Sequence, residues 1–180
     1  MRRLLELLAI LGTVAGVYIW VRKSQSGGTV TVEEVVADTV DDVQRTVNKF
    51  TARGLRNNNP GNIEYNGTAW QGLASPPSDG RFCIFVSPDY GFRALGHILL
   101  NYQKNYGLNT VAGIISRWAP GNENNTVAYI DDVCRQTSLA PDQKINVSDW
   151  LGSLAAAITR HENGYNPYPQ NDIETWVRLP

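Results

Sequence analysis

Metal-binding and redox side chains are scarce in this sequence. Its 180 residues include only two histidines and two cysteines, which are His97, His161, Cys83 and Cys134. Their spacing matches neither a zinc site nor a catalytic cysteine and histidine pair, so we expect no zinc peptidase, no cysteine peptidase and no metal or cofactor. Two cysteines are too few for a disulfide framework, and a single bridge or two thiols remain as alternatives.

An excess of positive charge is also absent. The formal net charge is −1, and from Thr51 onward ten Lys and Arg residues stand against eleven Asp and Glu. A protein that binds nucleic acid needs clustered positive charge to neutralise phosphates. We therefore expect no nucleic-acid partner.

Only one long apolar run is present, and it lies at the start of the chain. The segment from Leu4 to Val21 is mainly apolar, and Arg22 and Lys23 follow it. As a helix it would rise about 27 Å, close to the ~30 Å hydrocarbon core of a bilayer. No clear cleavage site follows, so the pattern predicts an uncleaved transmembrane anchor over residues 1–23. The alternative is a buried or partner-binding apolar helix.

The remaining chain divides into a stalk and one folded domain. Residues 24–52 are acidic and have few large apolar side chains, which predicts a flexible linker without a core of its own. At Arg53 the composition changes to Asn, Gly, Pro and aromatic residues. A stretch of this length supports one core, so residues 53–180 are predicted to form one domain.

Local patterns predict an α+β domain that is mainly helical. Alternating residues around Ile63, the Asn66-Gly67 pair and the apolar segment at residues 82–86 predict a hairpin sheet. Helical spacing of apolar residues predicts four helices. They cover about residues 92–102, 111–118, 125–134 and 148–163. The third is predicted to bury Val127, Ile130 and Cys134, and the fourth to be capped by Ser148.

Glu162 is the first candidate for a catalytic residue. It lies four residues after Ile158 and continues the apolar stripe of the last predicted helix, which places it toward the core. A carboxyl group in such a position is suited to protonate the leaving oxygen of a glycosidic bond. The alternative is a solvated acid at the helix end.

The residues around Glu162 carry a resemblance to known enzymes. The segment from Ala155 to Pro167 (AAAITRHENGYNP) resembles the helix end of lytic transglycosylases and goose-type lysozymes. In those enzymes a catalytic Glu is followed by a small residue, Gly, an aromatic residue, Asn and Pro. Here Asn163 replaces the usual Ser. The resemblance implies that Glu162 is the catalytic acid.

A second resemblance covers about residues 53–168. The segments RNNNPGNI (residues 56–63), WQG (residues 70–72) and RWAPGNENNTVAY (residues 117–129) resemble phage virion and prophage proteins regarded as cell-wall-degrading. The order of loop and strand is also similar to flagellar-type β-N-acetylglucosaminidases. The resemblance implies a lysozyme-like domain that cuts peptidoglycan between N-acetylmuramic acid and N-acetylglucosamine.

The order of the segments departs from these enzymes in one respect. In the transglycosylases the Glu-bearing helix precedes the hairpin region, whereas Glu162 follows it. A catalytic acid elsewhere is therefore an alternative, and Glu123, in a predicted loop between helices, is the second candidate. Its other interpretation is charge compensation at a helix N-terminus.

Polar and aromatic side chains provide candidates for sugar binding. They are Asn59, Asn62, Trp70, Tyr129, Tyr165 and Tyr168. Their alternatives are hydrogen bonds to the local backbone for the asparagines and core packing for the aromatic residues.

The function predicted from these patterns is local opening of the cell wall for genome entry. Its agent would be a domain anchored in the virion membrane or the host inner membrane, facing the wall beside other virion proteins. The alternatives are a peptidoglycan endopeptidase, a structural virion membrane protein without activity, and a bacterial envelope protein that remodels the wall.

Overall fold

The computed structural model describes residues 51–121 and 125–180. The described part contains six α-helices, one 3-10 helix and a two-stranded sheet, within a unit that begins at Thr51. The α-helices are α1 (Arg53–Arg56), α2 (Pro88–Tyr106), α3 (Val111–Trp118), α4 (Thr126–Thr137), α5 (Leu151–Asn163) and α6 (Gln170–Trp176). The strands are β1 (Leu73–Ser78) and β2 (Cys83–Phe85), and the 3-10 helix is Val147–Trp150.

The predicted fold class needs a correction. The structure is mainly helical with a small sheet, but none of the helices within residues 51–121 and 125–180 is long and apolar enough to cross a membrane. The predicted transmembrane helix over residues 1–23 and most of the predicted stalk lie outside the described residues. A lysozyme-like domain preceded by a membrane helix is therefore not retained as the fold class.

The helices pack through the apolar stripes that the sequence predicts. Phe92, Leu95 and Leu99 of α2 are completely buried, as are Leu154 and Ile158 of α5. The predicted C-terminus of α5 is confirmed, because Gly164 follows it in the left-handed conformation, with φ of 79°. The predicted cap at Ser148 is wrong, since residues 147–150 form a 3-10 turn that leads directly into α5.

The buried face of α4 agrees with the prediction only in part, because Ile130 and Cys134 pack half-buried against the core whereas Val127 does not. Asn125 caps the helix by accepting a hydrogen bond from the backbone N–H of Ala128. Tyr129 and Val133 form the buried stripe, whereas Val127 is 68% exposed. The orientation of α4 follows from Tyr129, because its large ring fills the space next to α5. The helical spacing of apolar residues that includes Val127 does not decide it.

The hairpin turn lies later in the chain than predicted. Leu73 pairs with Phe85 and Ser78 with Cys83, so the chain reverses at Asp79 and Gly80 and not at Asn66-Gly67. The Asp79 carboxylate accepts hydrogen bonds from the backbone N–H groups of the next residues, and Gly80 has φ of 103°. These local hydrogen bonds satisfy the backbone groups of the turn. The alternation of apolar residues in the sequence does not reveal them. Before β1, the pairing consists of one bridge, from Glu64 to Phe82.

The two cysteines are free thiols. Cys83 is completely buried in β2 and Cys134 is half-buried in α4. Burial raises the pKa of both thiols, which keeps them protonated and poorly reactive near neutral pH.

Candidate active site

Glu162 lies in the last turn of α5 and is held by three hydrogen bonds from different parts of the fold. Its Oε1 accepts from the Tyr129 hydroxyl on α4 at 2.9 Å and from the Trp118 indole N–H on α3 at 3.3 Å. Its Oε2 accepts from the Asn62 amide at 3.0 Å. Glu162 thus lies on the face of α5 that the helical spacing predicts. There it meets α3, α4 and the loop after α1.

Tyr129 is a permanent donor to Glu162. Its side chain is 2% exposed, and burial together with the nearby charge of Glu162 raises the pKa of its phenol far above the usual range. The ring stacks on His161 at a centroid distance of 3.5 Å. His161 in turn contacts Asp132 through Nδ1 at 2.9 Å. Neighbouring side chains on α4 and α5 therefore fix the ring that positions the hydroxyl.

Asp132 is the charged member of this support. Burial opposes ionisation of its carboxyl, but the interactions with the His161 ring and the Arg135 guanidinium outweigh burial and lower its pKa. The Arg135 guanidinium lies 2.6 Å from the carboxylate. Asp132 is consequently ionised near neutral pH and orients the His161 ring by hydrogen bonding.

The asparagines at residues 57–62 build the other side of the site. Asn59 is completely buried, and its amide bonds the backbone of Ile63 and Cys83. The Asn58 amide donates to the carbonyl of Phe85. These bonds connect the loop to β2. Asn62, whose φ is 50°, turns the chain so that its own amide reaches Glu162.

Asn163 connects the same loop to α5. Its amide nitrogen donates to the carbonyl of Pro60 at 2.8 Å and to that of Thr159 at 2.9 Å. A Cβ atom at Gly54 would lie 2.6 Å from the side-chain oxygens of both Asn62 and Asn163. Only glycine therefore fits at this point of α1 without displacing the two amides.

The Glu162 side chain lines an open cavity of about 470 Å³. One wall, the helical wall, comes from helices and the segment after α3, and it consists of Ile98, Tyr102, Trp118, Ala119, Pro120 and Glu162. The opposite wall, the loop wall, consists of Gly61, Asn62, Ile63, Glu64, Arg81 and Phe82. The carboxylate is thus accessible to a ligand while its orientation is fixed by three hydrogen-bond donors.

The other sequence candidates lie in different places. Tyr168 packs edge-on against Phe92 at 5.1 Å, and Trp70 packs against the core, so neither lines the cavity. Tyr165 is 49% exposed beyond the end of α5. Glu123 lies outside the described residues. Among the six sugar-binding candidates, Asn62 lines the cavity and Tyr129 supports Glu162 from behind.

Two contributors to the site were not singled out from the sequence. Trp118 donates to Glu162, and Tyr102 lines the cavity beside it. Both belong to apolar helical stripes, which indicate core packing. The only sequence signal for Trp118 is its place in the RWAPGNENNTVAY segment.

The comparison with known proteins assigns the chain to a family of phage proteins. It is 42% identical to Protein P5 of Pseudoalteromonas phage PM2 over 126 residues, which are 68% of this chain and 78% of that protein. The chain therefore belongs to the family of Protein P5. No protein-family model matches the chain. The predicted relationship to phage proteins is confirmed, and that to lysozyme-like enzymes is not.

Proposed function

We propose that this protein is a virion-associated phage enzyme that cleaves the glycan strand of peptidoglycan, with Glu162 as its acid. The observation that carries the proposal is a carboxylate that lines an open cavity and accepts hydrogen bonds from three separate segments. Such fixed donors around one carboxylate are typical of a group that acts at a defined atom of a substrate. The relationship to a phage protein supports a role at the bacterial wall.

The described hydrogen bonds leave one site of the Glu162 carboxyl group open to a substrate. A carboxylate oxygen offers two lone-pair sites. Oε1 uses both, for Tyr129 and Trp118, whereas Oε2 has one described partner, Asn62. The second site of Oε2 is therefore the position from which a proton is donated to a substrate in the cavity.

The proposed reaction uses Glu162 twice. First, the acid gives its proton to the glycosidic oxygen, the bond from that oxygen to C1 of N-acetylmuramic acid breaks, and N-acetylglucosamine leaves with a hydroxyl group. The resulting carboxylate then accepts the proton of the 6-hydroxyl of the same N-acetylmuramic acid, while the oxygen of that hydroxyl forms a bond to C1. The product is a 1,6-anhydro sugar, and the acid is restored.

A single-acid route is preferred because Glu64, the other carboxylate among the described residues that line the cavity, is paired with an arginine. Glu64 lies 2.7 Å from the Arg81 guanidinium, which balances its charge. A retaining hydrolase would need a second carboxylate free to act as nucleophile. A transglycosylase therefore suits the cavity better than a two-carboxylate hydrolase.

The proposed setting is entry of the phage genome through the wall. An enzyme of the virion, working beside other virion proteins, would open peptidoglycan locally at the point of passage. A structural virion protein without activity is the main rival, because a carboxylate with three donors can also serve only to join helices.

The test is digestion of purified peptidoglycan by the full chain, with the released fragments identified by mass spectrometry. Glu162→Gln is compared with Glu174→Gln, which changes an exposed carboxylate on α6, and with Glu123→Gln. We expect anhydro-muramyl fragments that disappear only in Glu162→Gln. New peptide amines would indicate an endopeptidase, and no release by a folded wild type would favour the structural protein.

A further inference from the structure

An aromatic shelf that carries an arginine adjoins the Glu162 cavity. We call Tyr102, Tyr106 and Arg117 the arginine shelf. The guanidinium of Arg117 lies over the Tyr106 ring at 3.6 Å and over the Tyr102 ring at 5.3 Å from their centroids. The two tyrosines follow each other by one turn of α2, with ring centroids 6.4 Å apart. The shelf is thus one surface made by α2 and α3.

The arginine shelf is continuous with the proposed site of chemistry. Tyr102 itself lines the cavity, and its ring meets Trp118 edge-on at 6.5 Å. Trp118 donates to Glu162. A ligand held at Glu162 would therefore reach the shelf along one row of aromatic side chains, in which Tyr106 is 52% exposed.

Arg117 is exposed and is not neutralised by any described carboxylate. Arg53, Arg81, Arg135 and Arg178 each pair with an acidic side chain. Arg117 forms no ion pair within residues 51–121 and 125–180. Burial raises the pKa of the Tyr102 phenol despite the opposing charge of Arg117, so the phenol does not serve as its counter-ion.

The stacking on the tyrosines allows Arg117 to bind a carboxylate. The Arg117 guanidinium, stacked over aromatic rings, gives one hydrogen bond to the Tyr102 hydroxyl and keeps its other N–H groups available. This planar fork matches a carboxylate. Peptidoglycan carries carboxylates next to its sugars, on the peptide stems and, where an amidase has removed the stem, on the lactyl group of muramic acid. Neutral glycans of N-acetylglucosamine carry none.

We infer that the arginine shelf is a substrate subsite, at which Arg117 binds a carboxylate of the glycan strand while the adjoining sugar contacts the exposed Tyr106. The inference rests on the proposed function and deepens it. It assigns selection of acidic, muramic-acid-containing glycan over neutral glycan to residues outside the Glu162 hydrogen-bond network.

Binding is the readout, so that the test does not depend on cleavage. The full chain with Glu162→Gln is titrated with three soluble probes: disaccharide units with peptide stems, the same units after amidase removal of the stems, and neutral N-acetylglucosamine oligomers. Arg117→Gln is compared with Lys104→Gln, which removes one positive charge from an exposed position on α2. Thermal unfolding confirms that each variant is folded.

We expect Arg117→Gln to weaken binding of carboxylate-bearing probes roughly tenfold and to leave the neutral oligomers unchanged. Lys104→Gln should behave like the parent. If the loss occurs only with stem-bearing units, the carboxylate belongs to the peptide stem. If the loss persists after stem removal, Arg117 binds the lactyl carboxylate that the amidase exposes.

Equal affinities of Arg117→Gln and Lys104→Gln for every probe would overturn the inference, and so would an equal loss for acidic and neutral probes. These outcomes are separate from failure of the proposed function. That failure would be an absence of cleavage by the wild type, or cleavage that survives Glu162→Gln.

Discussion

The two walls of the Glu162 cavity are built by different physical means. On the helical wall, Trp118 stands on a helix whose register is fixed by buried apolar residues, and Tyr129 supports Glu162 from a neighbouring helix in the same way. The loop wall instead depends on side-chain amides that bond backbone groups, with Asn59 joining the loop to β2 and Asn62 reaching Glu162. Many apolar contacts stabilise the helical wall, whereas a few specific side-chain hydrogen bonds stabilise the loop wall.

The largest effect is expected on the helical wall, from Tyr129→Phe. The variant keeps the ring on His161 but removes the hydroxyl that bonds Glu162. A hydrogen bond to a charged group contributes roughly 1.5–3 kcal/mol, so kcat for glycan release should fall about 10- to 100-fold. Tyr90→Phe, which changes a half-buried tyrosine in the first turn of α2, is the matched control. An unchanged kcat in Tyr129→Phe would show that the hydroxyl has no part in the reaction.

Gly54→Ala tests whether the loop wall tolerates one added methyl group. The added Cβ would lie 2.6 Å from the side-chain oxygens of Asn62 and Asn163 and 2.8 Å from the backbone oxygen of Asn59. Overpacking of this kind costs roughly 1–3 kcal/mol in the free energy of unfolding, and it should also displace the Asn62 amide and lower activity. Gly121→Ala is the control in urea unfolding, because its Cβ would meet Thr126 at 3.6 Å and no other atom of residues 51–121 and 125–180 within 4 Å. Equal stability of the two variants would contradict this account.

Asn62→Gly separates the amide of Asn62 from its backbone conformation. Glycine accepts φ of 50° without strain, so the loop is preserved while the hydrogen bond to Glu162 Oε2 is lost. We expect kcat to fall roughly tenfold with little change in Tm. Asn58→Gly removes an amide from a residue of the same conformation, with φ of 51°, that bonds Phe85 instead. A larger loss of activity in Asn58→Gly would mean that the loop acts only through its fold.

The smallest effect concerns the hairpin turn at the base of the loop wall. The hydrogen bond from Arg53 holds the pKa of Asp79 well below its usual range. The stabilisation is therefore complete above the unfolded pKa of about 4 and is lost as pH falls through the folded value. Asp79→Asn should lower Tm by about 2 °C at pH 7, and the difference should shrink in acid. A difference that grows below pH 4 would reverse the assigned sign; Asp142→Asn is the exposed control.

Sequence patterns anticipated the parts of the site that follow helical periodicity. Glu162 was placed toward the core because it continues the stripe of Ile158, and the structure has it half-buried at the end of α5. The same reasoning predicted that Val127 is buried and did not predict the burial of Tyr129. A single large aromatic residue such as Tyr129 can decide which face of a helix is buried when the apolar stripe is weak. The role of Glu123 stays a prediction, since this residue lies outside the described part.

The sequence by itself determined helices α2 to α5, the end of α5 and the candidate acid, because local periodicity and turn residues specify these features over a few positions. It did not predict the short helices α1 and α6. The tertiary structure alone decided which donors meet Glu162. Asn62 and Trp118 are 100 and 44 residues away from it along the chain, and the turn at Asp79 replaces the one predicted at Asn66. Such meetings depend on how α1, the loop, α3 and α4 pack together, and no local pattern encodes that packing.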